Sequence, residues 1–239
     1  RRLERAADAT PAPGSPSPTR PARAGAEEPA PRPAEATSAT PDRSAMDEGN
    51  RAYEGGRWNA AVAAYQRMEA PADRSGDYAR DYQEARVRQG VSHVNVGEYG
   101  GALEALEEAV SFDFPNGRAY LRLGQAQCAV GRVDEGKGTL SALGRVASRM
   151  PVADRPDLLA LGKYHVGVCG HHQVDRADGT VALVRAGGQA VRDLEAFIDE
   201  AEGLPEPSPE VREALADARD RIEAIRERVR QGGDGPDRV

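Results

Sequence analysis

From Ser44 onward, apolar and polar residues follow the three- and four-residue spacings of amphipathic helices, and turn residues interrupt them at short intervals. The pattern predicts helices over 44–55, 58–69, 78–96, 99–112, 117–130 and 133–148. They pair into three hairpins near 42–75, 83–116 and 117–150, with Pro115 and Pro151 at hairpin boundaries. A less regular fourth hairpin follows. Its first helix is expected from Pro156 to Asp175 and its second from Gln189 to Glu202, with Ala190, Leu194, Phe197 and Ile198 on one face. Residues Asp178 to Gly188 are read either as an extension of a helix or as a loop. The final helix, within 206–231, opens with a capping Ser208, Pro209 in the first turn and Glu210 at the positive end of the dipole. Val211, Leu215, Ala218, Ile222, Ile225 and Val229 recur along it at alternating spacings of four and three. So narrow a seam suits a helix that seals the end of the hairpin stack. It also suits a coiled coil, so the chain is expected to be a monomer or a weak dimer through 208–230.

Glycines carry a longer period. Gly90 and Gly124 are 34 residues apart, and so are Gly97 and Gly131. The first glycine of each pair lets two helices approach closely; the second ends a helix where positive φ is cheapest. The period, with Tyr120-Leu121-Arg122-Leu123-Gly124 and Val96-Gly97-Glu98-Tyr99-Gly100-Gly101-Ala102-Leu103, resembles the tetratricopeptide pattern W-x2-L-G-x2-Y…A. An earlier run, Gly49-Asn50-Arg51-Ala52-Tyr53-Glu54-Gly55-Gly56-Arg57-Trp58-Asn59-Ala60-Ala61-Val62-Ala63-Ala64-Tyr65, is similar to the family's G-N-x-x-Y-x-x-G-x-Y-x-x-A-I-x-x-Y. Gly49 and Gly90 are 41 residues apart, so about seven extra residues are expected in the turn-rich stretch from Ala70 to Asp77. The resemblance implies an all-α helical-hairpin solenoid over 42–205, with three clear units, one degenerate unit and a C-terminal capping helix. Gly162 and Gly167 both compete for the close-contact place in the degenerate unit. The family supplies binding scaffolds, so the resemblance also implies a non-catalytic protein that presents a groove to a protein or peptide.

Composition narrows the function classes. Residues 1–41 are mostly a Pro/Ala/Ser/Thr linker too poor in apolar residues to offset its ordering entropy, and a disordered tail is expected over 232–239. The net charge is −7 and no basic stripe is present, which argues against nucleic acid as a partner. Arginine supplies nearly all the positive charge, Lys137 and Lys163 being the only lysines; with abundant Ala, Gly and Pro, this codon bias points to a GC-rich, bacterial genome. No apolar run is long enough for membrane insertion by this chain. Arg1-Arg2-Leu3-Glu4-Arg5 ahead of the linker is the arrangement that follows an N-terminal anchor, so the expected compartment is the bacterial cytoplasm or, behind such an anchor, an extracytoplasmic one. No cofactor motif occurs. Gly97, Gly100 and Gly101 lie at a helix–helix turn with no preceding strand.

Two clusters are candidates for function. The inner face of a tetratricopeptide solenoid is lined by the first helix of each unit, which implies a partner-binding groove of Asn50, Tyr53, Arg88, Val91, Asn95, Arg118, Leu121, Arg122 and Gln125. Asn50, Arg118 and Arg122 match a carboxylate clamp known in one subfamily, whereas Met46 replaces its lysine and Arg88 its asparagine. Arginine still grips carboxylates bidentately, so an acidic peptide is the expected ligand; the alternative is a set of ordinary solvated arginines. The second cluster, His165, Cys169 and His172, lies on one helix face and offers a metal-binding alternative, but lacks a fourth ligand. Cys169 is otherwise expected to pack in the core. A bridge to Cys128, on another predicted helix, is not expected, because it needs Cα atoms within about 7 Å.

Overall fold

In the computed structural model, which describes residues 42–233, each hairpin is built around a glycine pressed against a bulky side chain. The predicted linker over 1–41 and residues 234–239 of the tail predicted over 232–239 lie outside the described residues; Gly232 and Gly233 belong to the last helix. The elements are α1 (Ser44–Glu54), α2 (Trp58–Tyr65), α3 (Asp77–Asn95), α4 (Tyr99–Val110), α5 (Gly117–Ala129), α6 (Val133–Ala147), α7 (Arg155–Asp175), α8 (Thr180–Glu202) and α9 (Pro209–Gly233). A Cβ on Gly90 would sit 2.4 Å from Leu106 Cγ, and one on Gly124 2.5 Å from Leu140 Cγ. The paired helices therefore touch where the period places a residue without a side chain. Gly97 and Gly131 close α3 and α5 at φ of +80° and +90°.

The helix ends match the hydrophobic pattern closely through α6, with two differences. α2 stops at Tyr65, and the extra residues after the first hairpin mainly lengthen the next helix: α3 begins thirteen residues before Gly90, whereas α5 begins seven before Gly124. α8 starts at Thr180, so most of the segment Asp178 to Gly188 is helical. The fourth hairpin also settles its glycine. Gly162 faces Leu143 of the preceding hairpin, whereas a Cβ on Gly167 would sit 2.5 Å from Leu194 of its own second helix.

Each odd-numbered helix packs on the next odd one, from α1 through α9, while the second helices of successive hairpins do not meet. The layer of first helices is therefore the inner layer of the stack. α9 packs on α7 and α8 as a fifth first helix with no partner of its own. Ser208 caps it, its Oγ accepting the Val211 N–H at 3.3 Å. Val211, Ala218, Ile222 and Ile225 are buried in the same core as Leu194 and Phe197. The seam that suited a coiled coil is thus packed inside the chain, against the fourth hairpin.

A correction concerns the cysteines. Cys128 and Cys169 form a disulfide with Cα atoms 5.4 Å apart. α5 and α7 are neighbouring first helices, and both sulfurs lie on their buried facing sides. The sequence separation of 41 hides this closeness, because α6 and the first part of α7 are folded between them.

Candidate functional site

The inner face is built from helical positions three and four apart on α1, α3 and α5, which the stack brings side by side. On α1, the Asn50 Oδ1 accepts from the Tyr65 hydroxyl at 2.8 Å and from Arg88 at 3.1 Å. Burial pushes the Tyr65 hydroxyl far above its ordinary pKa, so it stays a donor. Arg88 is surrounded by its own chain. Its guanidinium lies 5.5 Å from the Tyr53 ring centre, with Glu84 at 3.5 Å and Glu54 at 3.6 Å. Arg122 donates to Gln125 at 3.0 Å and lies 3.5 Å from Glu210 at the start of α9. Arg118 is exposed. Two of the three arginines expected to attract an acidic ligand therefore already face carboxylates of this chain.

Leu121 is 2% exposed and belongs to the core, not to the groove. Met46, which stands at the lysine place of the clamp, is buried too, so the structure corrects both placements. Val91, Asn95, Arg122 and Gln125 do come together. They line a recess of about 250 Å³ between α3 and α5, with Leu106 behind it. Val94 and Tyr99 complete its wall and are 37% and 40% exposed. Tyr99 was legible only as the first residue after a turn. Its place beside the groove depends on α4 crossing the end of α3.

The inner layer continues into α7 and α9 through polar contacts that the 34-residue period does not reach. The Gln125 amide lies 2.5 Å from His165 Nε2. Burial, reinforced by Arg122 and Arg221, lowers the His165 pKa to about 3, so the ring is neutral and accepts the amide N–H. Tyr164 donates its hydroxyl to Asp217 at 2.5 Å, Arg221 pairs with the same carboxylate, and Arg221 lies 3.2 Å from His171 Nδ1. Burial pushes the Asp217 pKa up, but hydrogen bonds from Arg221 and Tyr164 outweigh it and hold the group below the usual carboxylate range. Burial raises Tyr164 to about 12 and lowers His171.

This arrangement does not bring His165, Cys169 and His172 together as a set of metal ligands. The Cys169 sulfur is bonded to Cys128 and is not available as a thiolate, and His165 is turned to Gln125. No group of three or more His, Cys, Asp and Glu positioned to hold a metal occurs among the described residues. Among those residues, too, no helix is long and apolar enough to cross a membrane.

No protein-family model and no curated protein matches the sequence. Solved structures do. The nearly identical TPR-like repeats of a Podosopora anserina chain named for kinesin light chain align with a TM-score of 0.50 at 17% identity, covering 82% of this chain and 97% of that one. The structure MamA MSR-1 C2 aligns at 0.46 and 16%, and a MamA crystal structure at 0.42 and 14%, each covering 80% of this chain and 93% of the other. The first likeness is one of fold: the chain is an all-α, TPR-like helical-hairpin solenoid.

Proposed function

We propose that the chain is a non-catalytic interaction scaffold whose inner face holds a segment of a protein partner in the recess between α3 and α5. The observation that carries this reading is the uncovered apolar surface of Val94 and Tyr99, set around a recess floored by Leu106 and Ala126. A partner's apolar side chain would bury that surface, and Arg122 and Asn95 at the rim would orient its backbone. Because Arg88 and Arg122 are matched by Glu84, Glu54 and Glu210, the partner segment at this site is apolar in the centre and needs no strong negative charge. The buried Cys128–Cys169 disulfide suits an oxidising compartment, and thus the extracytoplasmic of the two expected settings.

The test is selection of binding peptides from a random library on the whole chain, followed by affinity measurements on Val94→Asp and Tyr99→Ala. Peptides that use the recess should share an apolar anchor and lose at least about tenfold in affinity in either variant, about 1.4 kcal/mol. Selected peptides that bind both variants as tightly as the parent would place the binding surface elsewhere.

A further inference from the structure

A second recess, of about 690 Å³, lies where the turn after α5, the end of α7 and the first half of α8 meet. Its wall carries three arginines. Arg185 and Arg192 stand on one face of α8, two turns apart, and Arg176 follows the end of α7. Arg176 leans over the preceding turn, where a Cβ on Gly131 would meet its guanidinium at 2.3 Å, so the glycine leaves room for that reach. Gln189 accepts from Arg192 at 2.7 Å and donates to Asp193 at 2.7 Å, which ties Arg192 to the recess wall. Lys137 lies 3.5 Å from Asp193 and compensates that carboxylate.

The charge balance differs from that of the inner face. None of the three guanidiniums lies within 4.0 Å of a carboxylate among the described residues. Asp134 is the single acidic residue among the described lining residues, which leaves two positive charges in excess in a chain of net charge −7. The arginines are also spread out. Seven residues of helix between Arg185 and Arg192 span about 10 Å, the reach of about three extended residues. Such spacing suits an extended ligand with several carboxylates better than a single small anion. A membrane surface is met by a flat or protruding patch, whereas these groups line a hollow. Between them lie Val133, Ala182 and Ala186, small apolar contacts of the kind a peptide covers, and the Gln173 and Gln189 amides, which suit its backbone.

We propose that this recess docks an acidic, extended segment of a protein partner, as a surface separate from the inner-face recess. Its carboxylates pair with the guanidiniums of Arg176, Arg185 and Arg192, and its small side chains rest on the apolar patches between them. The site does not depend on the inner-face reading, since it shares no residue with it.

The test uses the full chain and a fluorescein-labelled twelve-residue peptide of alternating glutamate and alanine, read by anisotropy. Binding should weaken as salt is raised, since the contact is charge-driven. Arg185→Glu with Arg192→Glu should weaken it at least tenfold, and the milder Arg185→Gln with Arg192→Gln should do so in part, each with an unchanged melting temperature. Arg122→Ala, on the inner face, should leave it unchanged. No anisotropy change with the peptide overturns the proposal, as does equal weakening by Arg122→Ala. Capture by phosphatidylglycerol vesicles through the same arginines, without peptide binding, overturns it in favour of a lipid surface. Peptide displacement by low-millimolar inorganic phosphate at constant ionic strength overturns it in favour of a small-anion site.

Discussion

In the first three hairpins, the glycine on the first helix precedes the bulky residue it faces by sixteen positions: Gly49 and Tyr65, Gly90 and Leu106, Gly124 and Leu140. In the fourth hairpin, Gly167 and Leu194 are twenty-seven positions apart. The contact is the same; the lengths are not. α5 and α6 have 13 and 15 residues, whereas α7 and α8 have 21 and 23. The longer helices extend past the repeat unit and are held by other means, namely the disulfide from α7 to α5 and the lid formed by α9. Regular hairpins are stabilised by repetition of one local contact, and the terminal one by features that occur once.

Removing α9 should break this comparison most severely. Truncation after Pro207 uncovers the surfaces that Val211, Ile222 and Ile225 bury against the fourth hairpin. At about 1.5–3 kcal/mol for each fully buried aliphatic side chain, the loss exceeds about 4 kcal/mol. The truncated chain should aggregate or lose amide protection in α7 and α8, while α1 to α4 keep theirs, because solenoid stability is summed from neighbour contacts. A monodisperse truncated chain with native hydrogen exchange in α7 and α8 would show that the fourth hairpin needs no cap.

Cys128→Ala combined with Cys169→Ala should come next. Closing a loop of 41 residues is worth about 3–4 kcal/mol in the chain-entropy account. The loss should be read in α7 to α9 by hydrogen exchange under denaturant, with the first two hairpins unaffected. A uniform loss along the chain would show that the stack unfolds as one unit.

Gly90→Val and Gly167→Val compare the two kinds of hairpin directly. Each places atoms within van der Waals overlap of a leucine, so each should cost about 1–3 kcal/mol in denaturant melts. A large cost at Gly90 with none at Gly167 would mean that the fourth hairpin is loosely packed and that its resemblance to the others ends at topology.

The smallest effect per step is a dependence on pH that belongs to the fourth hairpin. Unfolded, the His165 imidazole takes a proton below about pH 6.5; folded, it does so only near pH 3. Between those values the unfolded chain holds the additional proton, so stability falls with acid by up to about 1.4 kcal/mol per pH unit and levels off below the folded pKa. His165→Gln should flatten that slope in melts run between pH 4 and pH 7. An unchanged slope would place the acid sensitivity of that range on His171, whose pKa burial also lowers.

Much of the fold was legible because its determinants are local. The positions of α1 to α6 follow from three- and four-residue spacing, and the hairpin tips from Gly97 and Gly131, which need no distant partner to adopt positive φ. The Ser208 cap and the seam of α9 are equally local. Counting along the repeat put Val91, Asn95, Arg122 and Gln125 on one face, and these four line one recess; it also put Leu121 there, which is buried, because a single helix face has no label that says whether a neighbour covers it.

The sequence by itself determined that the chain is a stack of helical hairpins, since helix spacing and turn glycines are written in adjacent residues. Only the tertiary structure decided what those helices share. It joined Cys128 to Cys169 across the intervening α6, paired Arg88 and Arg122 with carboxylates from other helices, and turned the final seam inward. Among the described residues, it left Arg176, Arg185 and Arg192 without such partners around an open recess. Charge pairing and burial depend on which residues meet in space, and that distance is set by the stacking of layers, not by separation along the chain.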